Sequence, residues 1–212
     1  MMEIALDRLA DKHSELIACI PEVQKAYSIL KESYKNGGKT LLCGNGGSAS
    51  DCEHIVGELM KGFFLKRPIE TAFKKKLQLY FPDDSEYLSQ HLQGALPAVS
   101  LVSHSALITA FANDVSADMV FAQQVFGYGN EGDVVIGLST SGNSTNVIHA
   151  LKVARAKGLK TIGFTGEGGG LMAPLCDALI TVPYKNTPEI QEHHIPIYHA
   201  LCIMLEKEFF EK

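Results

Sequence analysis

The chain has 212 residues, of which 46% are hydrophobic and 20% are charged, and its formal net charge is −5. This length suits a single domain, 1–212, and the composition is sufficient for a hydrophobic core. A nucleic-acid partner is disfavoured, because nucleic-acid-binding domains carry clustered Lys and Arg, and the only basic run here is the three-lysine segment 74–76.

The apolar pattern and the cysteines bear on membrane association and location. No apolar run approaches the roughly 18 residues that a membrane-spanning helix needs. The first residues, MMEIALDRLADKH, are charged and helical in pattern, which is not typical of a signal peptide. The five cysteines lie in apolar contexts without a CxxC pair, so we interpret them as reduced core thiols. These features predict a cytoplasmic protein without a membrane partner.

The predicted elements begin with a helical arm and continue as alternating strands and helices. Residues 3–36 have apolar side chains at helical spacing, and Gly37 and Gly38 end this arm (1–37). Apolar runs of four to six residues follow at 40–43, 98–102, 133–138, 160–164 and 178–182. Such runs are typical of strands buried on both faces, and helical patterns such as 145–157 separate most of them. We therefore predict an α/β fold with about five parallel strands flanked by helices.

One segment, 66–97, interrupts this alternation. It is long for a connection in a compact domain, where loops have a median of about 4–6 residues. Asp83, Asp84 and Ser85 have the composition of a helix start before the stretch EYLSQHLQGAL. We interpret the segment as an inserted, partly helical flap, which either serves the function or is a tolerated addition.

Two polar loops directly follow predicted strands. The first polar loop is 44–48 (GNGGS), and the second polar loop is 139–144 (STSGNS) after the strand VVIGL. In open α/β sheets, ligands bind beyond the carboxyl ends of the strands. Backbone N–H groups at a helix start, together with hydroxyl groups, suit a phosphate. Such residues also cap helices, but six in a row favour an anion site.

The first polar loop also matches a dinucleotide fingerprint, as Gly44-x-Gly46-x-x-Ala49. A dinucleotide-binding unit needs an acidic residue at the end of a second strand, about 20 residues after the glycines. The corresponding window, GFFLKRPIE, has no convincing strand and contains only Glu70 as an acid. A dinucleotide site is therefore disfavoured.

Two predicted helices carry polar side chains on one face. His54 and Glu58 are four residues apart, and Gln191 and His199 are eight apart, so the members of each pair share a helix face. These residue types can bind a divalent metal, and Glu and His suit general acid–base catalysis. Taken alone, a His/Glu pair at this spacing is more often a surface pair.

Taken in order, four motifs resemble the sugar isomerase (SIS) domain family, and within it the bacterial phosphoheptose isomerases. The motifs are CGNGGS at 43–48, His54-x3-Glu58-Leu59, the second polar loop, and Gln191-Glu192-x-His194-x4-His199. The resemblance covers nearly the whole chain outside 66–97. It implies a SIS-type three-layer sandwich and a homotetramer with active sites between subunits.

The resemblance also implies roles for individual residues. The phosphate site falls on Ser139, Thr140, Ser141 and Ser144, and the remaining substrate contacts fall on Asn45, Gly46, Ser48, Asp114 and Gln191. Glu58 matches the base and His199 the acid of an aldose–ketose isomerisation, from sedoheptulose 7-phosphate to a heptose 7-phosphate through an ene-diol. In several relatives the residues that match His54, Glu58, Gln191 and His199 also bind zinc.

Alternatives to this enzyme remain open. One is a non-catalytic SIS module, acting as a phosphosugar sensor or as an adaptor that binds a replication initiator. The adaptor has lost the residues that match Glu58 and His199, whereas both are present here. Another is an isomerase for a different phosphosugar, since an arginine common after the family's Glu-Leu pair is missing and Thr187-Pro188-Glu189 replaces the usual residues before Ile190.

Overall fold

The structure is a computed structural model that describes residues 2–211, with side chains described from Ala5 onward. Its five strands are β1 (Thr40–Gly44), β2 (Ala98–Ser100), β3 (Val134–Leu138), β4 (Lys160–Thr165) and β5 (Ala178–Thr181). Its α-helices are α1 (Met2–Lys12), α2 (Ile20–Lys35), α3 (Gly47–Met60), α4 (Thr71–Tyr80), α5 (Ser85–His91), α6 (Ser105–Asp114), α7 (Val120–Tyr128), α8 (Thr145–Ala156) and α9 (Thr187–Phe210). Short 3-10 helices cover Ser14–Cys19, Ala117–Met119 and Gly170–Leu175.

The strands form one parallel sheet in the order β2-β1-β3-β4-β5. Leu42 of β1 pairs with Ser100 of β2 on one side and with Ile136 of β3 on the other. The chain leaves β1 toward β2 and then crosses to β3, so the strand order reverses beside β1. In such sheets the crevice at the reversal point is where ligands bind, and both polar loops begin there.

Side chains of each strand alternate between two hydrophobic cores, as the pleat requires. Leu42 lies in a core that contains residues of α1, α2, α3 and α9. Its neighbours Leu41 and Cys43 lie in a second core with residues of α7 and α8. This two-sided burial explains the near-continuous apolar runs and confirms the predicted three-layer α/β fold. The strand predicted at 98–102 ends earlier, at Ser100, where the chain turns away from the edge of the sheet.

The predicted N-terminal arm is helical, but it is divided by the 3-10 helix between α1 and α2. Leu6, Leu16 and Val23 bury their side chains in the same core as α9. Gly37, at φ 77°, follows the end of α2 in a conformation that glycine adopts without strain. The arm is therefore a packed layer of the domain.

The segment 66–97 contains α4 and α5, and the predicted helix start at Ser85 is confirmed. Leu77 is the only buried residue of α4, whereas Leu79 and Tyr80 are 74% and 70% exposed. The segment thus covers little of the core, and its role as a flap stays a prediction.

No helix within residues 2–211 is both long enough and apolar enough to span a membrane. All five cysteines are free thiols, and only Cys176 among them is partly exposed.

Candidate active site

The first polar loop connects β1 to α3 through glycines that the geometry requires. Gly46 has φ 57° and ψ −124°, which side-chain-bearing residues rarely adopt. A Cβ atom at Gly44 would lie 2.8 Å from the backbone oxygen of Ser48, so the loop folds closely onto the helix start. A Cβ atom at Gly47 would lie 2.6 Å from Nε2 of Gln191, so the amide of α9 reaches this loop. The structure therefore brings Gln191 to the loop that contains Asn45, Gly46 and Ser48.

The two polar loops are joined by a pair of amides. Nδ2 of Asn45 donates to Oδ1 of Asn146 at 2.9 Å, and Nδ2 of Asn146 donates back to Oδ1 of Asn45 at 2.9 Å. Asn146 lies in the first turn of α8, just beyond the second polar loop. Sequence analysis missed Asn146, although its position two residues after STSGNS is a usable signal. The pair fixes the spacing between the two loops.

The second polar loop is a compact turn at the carboxyl end of β3. Oγ of Ser139 and Oγ of Ser144 are 2.9 Å apart, and the backbone N–H of Asn143 donates to Oγ of Ser141 at 3.2 Å. Gly142, at φ 67°, packs directly against the backbone of Gly169. Ser139 is buried, Thr140 and Ser144 are half-buried, and Ser141 is exposed.

The helix-capping alternative for this loop is not realised in the described residues. Ser144 is the N-cap of α8, but its side chain makes no capping hydrogen bond. The first N–H groups of a helix lack partners within the helix, and they carry a partial positive charge. The start of α8 and the Ser141 hydroxyl thus leave donors available to an anion.

His54, Glu58 and His199 form a cluster between α3 and α9. It is called the catalytic cluster because Glu58 and His199 are the predicted base and acid. Nε2 of His54 lies 3.4 Å from Oε1 of Glu58 and 3.5 Å from Nε2 of His199. Glu58 is 9% exposed, and its second oxygen accepts a hydrogen bond from Nζ of Lys61 at 3.3 Å. The structure therefore brings together, from α3 and α9, the two residues predicted as base and acid.

Burial and the nearby His54 both lower the pKa of His199, and the charge of Glu58 partly opposes them. The ring of Phe63 covers His199, with 5.4 Å between ring centroids. A lowered pKa keeps this imidazole neutral near pH 7, since the ordinary histidine value is about 6.5. A neutral imidazole can both accept and donate a proton, as a shuttle requires.

The residues of the catalytic cluster have the donor types of a zinc site. A tetrahedral ion with bonds of about 2.0–2.1 Å requires donors about 3.3 Å apart, which is close to the 3.4 Å and 3.5 Å separations around Nε2 of His54. No group of three or more His, Cys, Asp and Glu residues among residues 2–211 is already assembled as a metal site. Small side-chain rotations would be enough to complete such a set, because the two separations around Nε2 of His54 already match those of a bound ion.

A buried ion pair between Arg67 and Glu206 lies next to the backbone of Glu58 and was not predicted from the sequence. Arg67 donates from Nε to Oε1 of Glu206 at 2.8 Å, and both side chains are fully buried. Arg67 also donates to the backbone oxygens of Glu58 and Leu59, at 2.9 and 2.7 Å. Glu206 accepts the backbone N–H groups of residues 63 and 64, both at 2.8 Å. This network joins the end of α3 and the loop after it to α9.

One predicted site residue, Asp114, lies away from the others, and one residue of the fourth motif, His194, belongs to the core. Asp114 is exposed at the end of α6, where its carboxylate accepts a hydrogen bond from Asn113 at 2.9 Å. The 3-10 helix 117–119 and α7, which make the main contacts of α6, carry none of the other predicted site residues. His194, within the fourth motif, is fully buried, with Nε2 3.3 Å from the backbone oxygen of Thr165.

Comparison with known proteins identifies the family of the chain. The family described as SIS domain matches residues 10–78 and 89–166. A phosphoheptose isomerase of Rhodospirillum rubrum is 39% identical over 197 residues, 93% of this chain and 91% of that protein. The corresponding protein of Aliarcobacter butzleri is 42% identical over 201 residues, 92% of this chain and 93% of that protein. The solved phosphoheptose isomerase from Neisseria gonorrhoeae superposes with a TM-score of 0.69 at 33% identity, covering 95% of this chain and 98% of that one. The chain therefore belongs to the SIS domain family and is similar to its phosphoheptose isomerases over nearly its whole length.

Proposed function

We propose that this chain converts sedoheptulose 7-phosphate into a heptose 7-phosphate by aldose–ketose isomerisation. The wider class, a sugar phosphate isomerase, follows from the phosphoheptose isomerases that match more than nine-tenths of the chain. The observation that carries the specific proposal is the convergence of Glu58 and His199 on Nε2 of His54, at 3.4 and 3.5 Å. A sensor or adaptor would not need that acid–base pair.

The reaction moves a carbonyl from C2 to C1, which requires a proton to leave C1 and another to reach C2. Glu58 is the proposed base for this carbon-bound proton, because its carboxylate is positioned and largely shielded from water. His199 is the proposed group that moves the hydroxyl proton between the two oxygens of the ene-diol. A positioned acid or base of this kind contributes about 10²–10⁴-fold in rate.

The proposed phosphate site is the second polar loop, with the hydroxyls of Ser139, Thr140, Ser141 and Ser144 and the start of α8 around the anion. Holding the far end of the sugar converts binding into orientation at C1 and C2. Asn45 and Ser48, with Gly46 and Gln191 beside them, are proposed to bind the sugar hydroxyls between the phosphate and the catalytic cluster. The asparagine pair supports this arrangement, because it holds the two loops at one spacing.

We also propose zinc as a cofactor, held by His54, Glu58, Gln191 and His199. When bound there, the ion would act as a Lewis acid on the sugar oxygens. His54 and Gln191 would then serve mainly as ligands, while Glu58 and His199 would serve in both roles. The donor types and the two separations around Nε2 of His54 support His54, Glu58 and His199 as ligands. Gln191 is included because the family resemblance implies it.

A homotetramer is proposed as the assembled state, with active sites between subunits. The helix α6, SALITAFAND, is mostly apolar, yet no residue in it is buried. Leu107 lies on this helix with 36% exposure, and Val115 just after it is 67% exposed. A second copy that covers α6 would bury this surface and could bring Asp114 to a neighbouring active site. The cytoplasmic location and the lack of a nucleic-acid partner stay predictions.

The deciding experiment is proton exchange in D₂O, followed by NMR with sedoheptulose 7-phosphate, with and without added zinc. Deuterium at C1 or C2 together with new aldose is expected for the wild-type chain. Glu58→Gln is expected to lose exchange while it still binds the sugar phosphate. Glu53→Gln is the control, because Glu53 lies on the same helix, is exposed and bonds to Ser103. Binding without exchange, across sugar phosphates of five to seven carbons, would favour the sensor or adaptor.

A further inference from the structure

Two side chains behind the catalytic cluster, Tyr198 and Asp51, have no part in the proposed reaction. Tyr198 is 1% exposed, and its hydroxyl lies 3.0 Å from Nδ1 of His54. The same hydroxyl donates to Oδ1 of Asp51 at 3.3 Å. The rings of Tyr198 and His54 meet edge to face, with 5.4 Å between centroids. Tyr198 thus contacts His54 at Nδ1, the ring nitrogen that faces away from Glu58.

The position of one proton decides whether Nε2 of His54, which faces Glu58 and His199, is a hydrogen-bond acceptor or a donor. A tyrosine hydroxyl has a single proton, and here both Asp51 and His54 can accept it. Asp51 is buried, and its other oxygen, Oδ2, has no hydrogen-bond partner among the described residues. A hydrogen bond to an ionised acceptor is roughly twice as strong as one between neutral groups. The proton therefore goes to Asp51, because the alternative leaves a buried carboxylate without a donor.

If Tyr198 donates to Asp51, its oxygen can only accept from His54, so Nδ1 of His54 carries the ring proton. The lone pair then lies on Nε2, which faces Glu58 at 3.4 Å and His199 at 3.5 Å. In the opposite tautomer, Nε2–H would donate to Glu58 and occupy the oxygen that the base needs. The hydrogen bonds at Nδ1 of His54 therefore determine whether Nε2 can accept a proton or bind a cation.

We propose that Tyr198 and Asp51 are positioning residues, which fix His54 in the Nδ1–H tautomer and keep Nε2 free to bind a divalent cation or to accept the proton of His199. The consequence for turnover rests on the proposed function, whereas the tautomer itself does not. Histidine ligands of metals generally donate their other ring N–H to such a partner. Here the partner is a tyrosine hydroxyl, which is itself oriented by a buried carboxylate.

The direct test is ¹⁵N NMR of the full chain labelled at histidine, after dialysis against a chelator. The spectra are recorded at about pH 8.5, two units above the ordinary histidine pKa of about 6.5. Protonated and unprotonated ring nitrogens then differ strongly in chemical shift, and His54→Gln assigns the signals. The wild type is expected to show Nδ1–H at His54. A predominant Nε2–H tautomer in the wild type would overturn the proposal.

Two variants and one control separate positioning from packing. Tyr198→Phe removes the hydroxyl, and Asp51→Asn keeps the shape but removes the charge, so both are expected to shift His54 toward Nε2–H. Tyr34→Phe is the control, because its buried hydroxyl pairs with Thr40 at 2.7 Å in another part of the core. If His54 keeps the Nδ1–H tautomer in both variants, the proposal is wrong. If Tyr198→Phe does not fold, the tautomer of His54 in the Asp51→Asn variant tests the proposal by itself.

Zinc titration and turnover on the same samples distinguish this inference from the proposed function. Loss of a ligand's hydrogen-bond partner typically weakens metal affinity about 10–100-fold, and that loss is expected for Tyr198→Phe but not for Tyr34→Phe. An Nδ1–H tautomer in a chain that isomerises no sugar phosphate would support the positioning role and contradict the function. Turnover with His54 in the Nε2–H form would support the function and overturn the positioning role.

Discussion

Arg67 and Glu206 form a fully buried ion pair, with 2.8 Å between Nε and Oε1, beneath the residues proposed to catalyse the reaction. The two residues come from different parts of the chain, the start of the inserted segment and the last helix. Through this pair, the helix that carries Glu58 and the helix that carries His199 are held as one unit. The network also holds the loop whose Phe63 ring covers His199.

Arg67→Met is expected to lower the free energy of unfolding by about 3–5 kcal/mol, because it leaves the charge of Glu206 buried without its cationic partner. Urea unfolding, followed by circular dichroism, measures this loss. Lys160→Met is the control, since its ion pair with Asp177 is long, at 3.9 Å, and exposed. That variant is expected to lose about 0–1 kcal/mol. Similar losses in the two variants would show that Arg67 is not a structural anchor.

Acid is expected to destabilise the protein partly through His194. Burial lowers the pKa of His194 to about 4 in the folded chain, whereas the unfolded chain takes up the proton at about pH 6.5. Between these values the unfolded state binds more protons, so the free energy of unfolding falls as the pH falls. The slope from this group is about 1.4 kcal/mol for each pH unit.

The measurement compares wild type and His194→Leu by urea unfolding at several pH values from about 7 to 4. The variant is expected to lose less stability over this range, because leucine cannot take up a proton. His149→Leu, at a half-buried histidine on α8, is the control and should keep the steeper slope. Parallel curves for wild type and His194→Leu would contradict the assignment.

The second polar loop makes a prediction about substrate affinity. Ser141→Ala removes an exposed hydroxyl that is proposed to bind the phosphate, at a position where the backbone conformation tolerates alanine. Loss of a hydrogen bond to a charged group costs about 1.5–3 kcal/mol, so KM is expected to rise about tenfold or more with a smaller change in kcat. Steady-state kinetics measure both constants. An unchanged KM would remove Ser141 from the phosphate site, and Ser28→Ala, on α2, is the matched control.

The proposed assembly makes a prediction about α6. Leu107→Asp is expected to break the homotetramer into smaller species, because a charge would be buried where an apolar contact is proposed. Light scattering coupled to size-exclusion chromatography measures the mass. Leu79→Asp is the control, because Leu79 is even more exposed but lies on α4, away from α6. A wild-type chain that is monomeric, or a Leu107→Asp variant that keeps the wild-type mass, would contradict this assembly.

Local pattern was sufficient to predict the architecture and the two polar loops. Leu41, Leu42 and Cys43 form an unbroken apolar run because the strand packs against a helical layer on each face, and that burial determines the residue types directly. The polar loops could also be predicted from local sequence, since each follows its strand within a few residues. Features whose causes lie within about ten neighbouring residues can be inferred from the order of residues alone.

Only the tertiary structure decided which distant side chains meet. Tyr198 and Asp51 are 147 residues apart in the chain, Arg67 and Glu206 are 139 apart, and Asn45 and Asn146 are 101 apart. No periodic pattern connects such pairs, because each contact depends on how α3, α8 and α9 pack around one end of the sheet. The sequence alone determined the kind of site and its approximate residues, whereas the packing of these helices determined its hydrogen-bond partners, because such bonds form only when distant elements approach within about 3 Å.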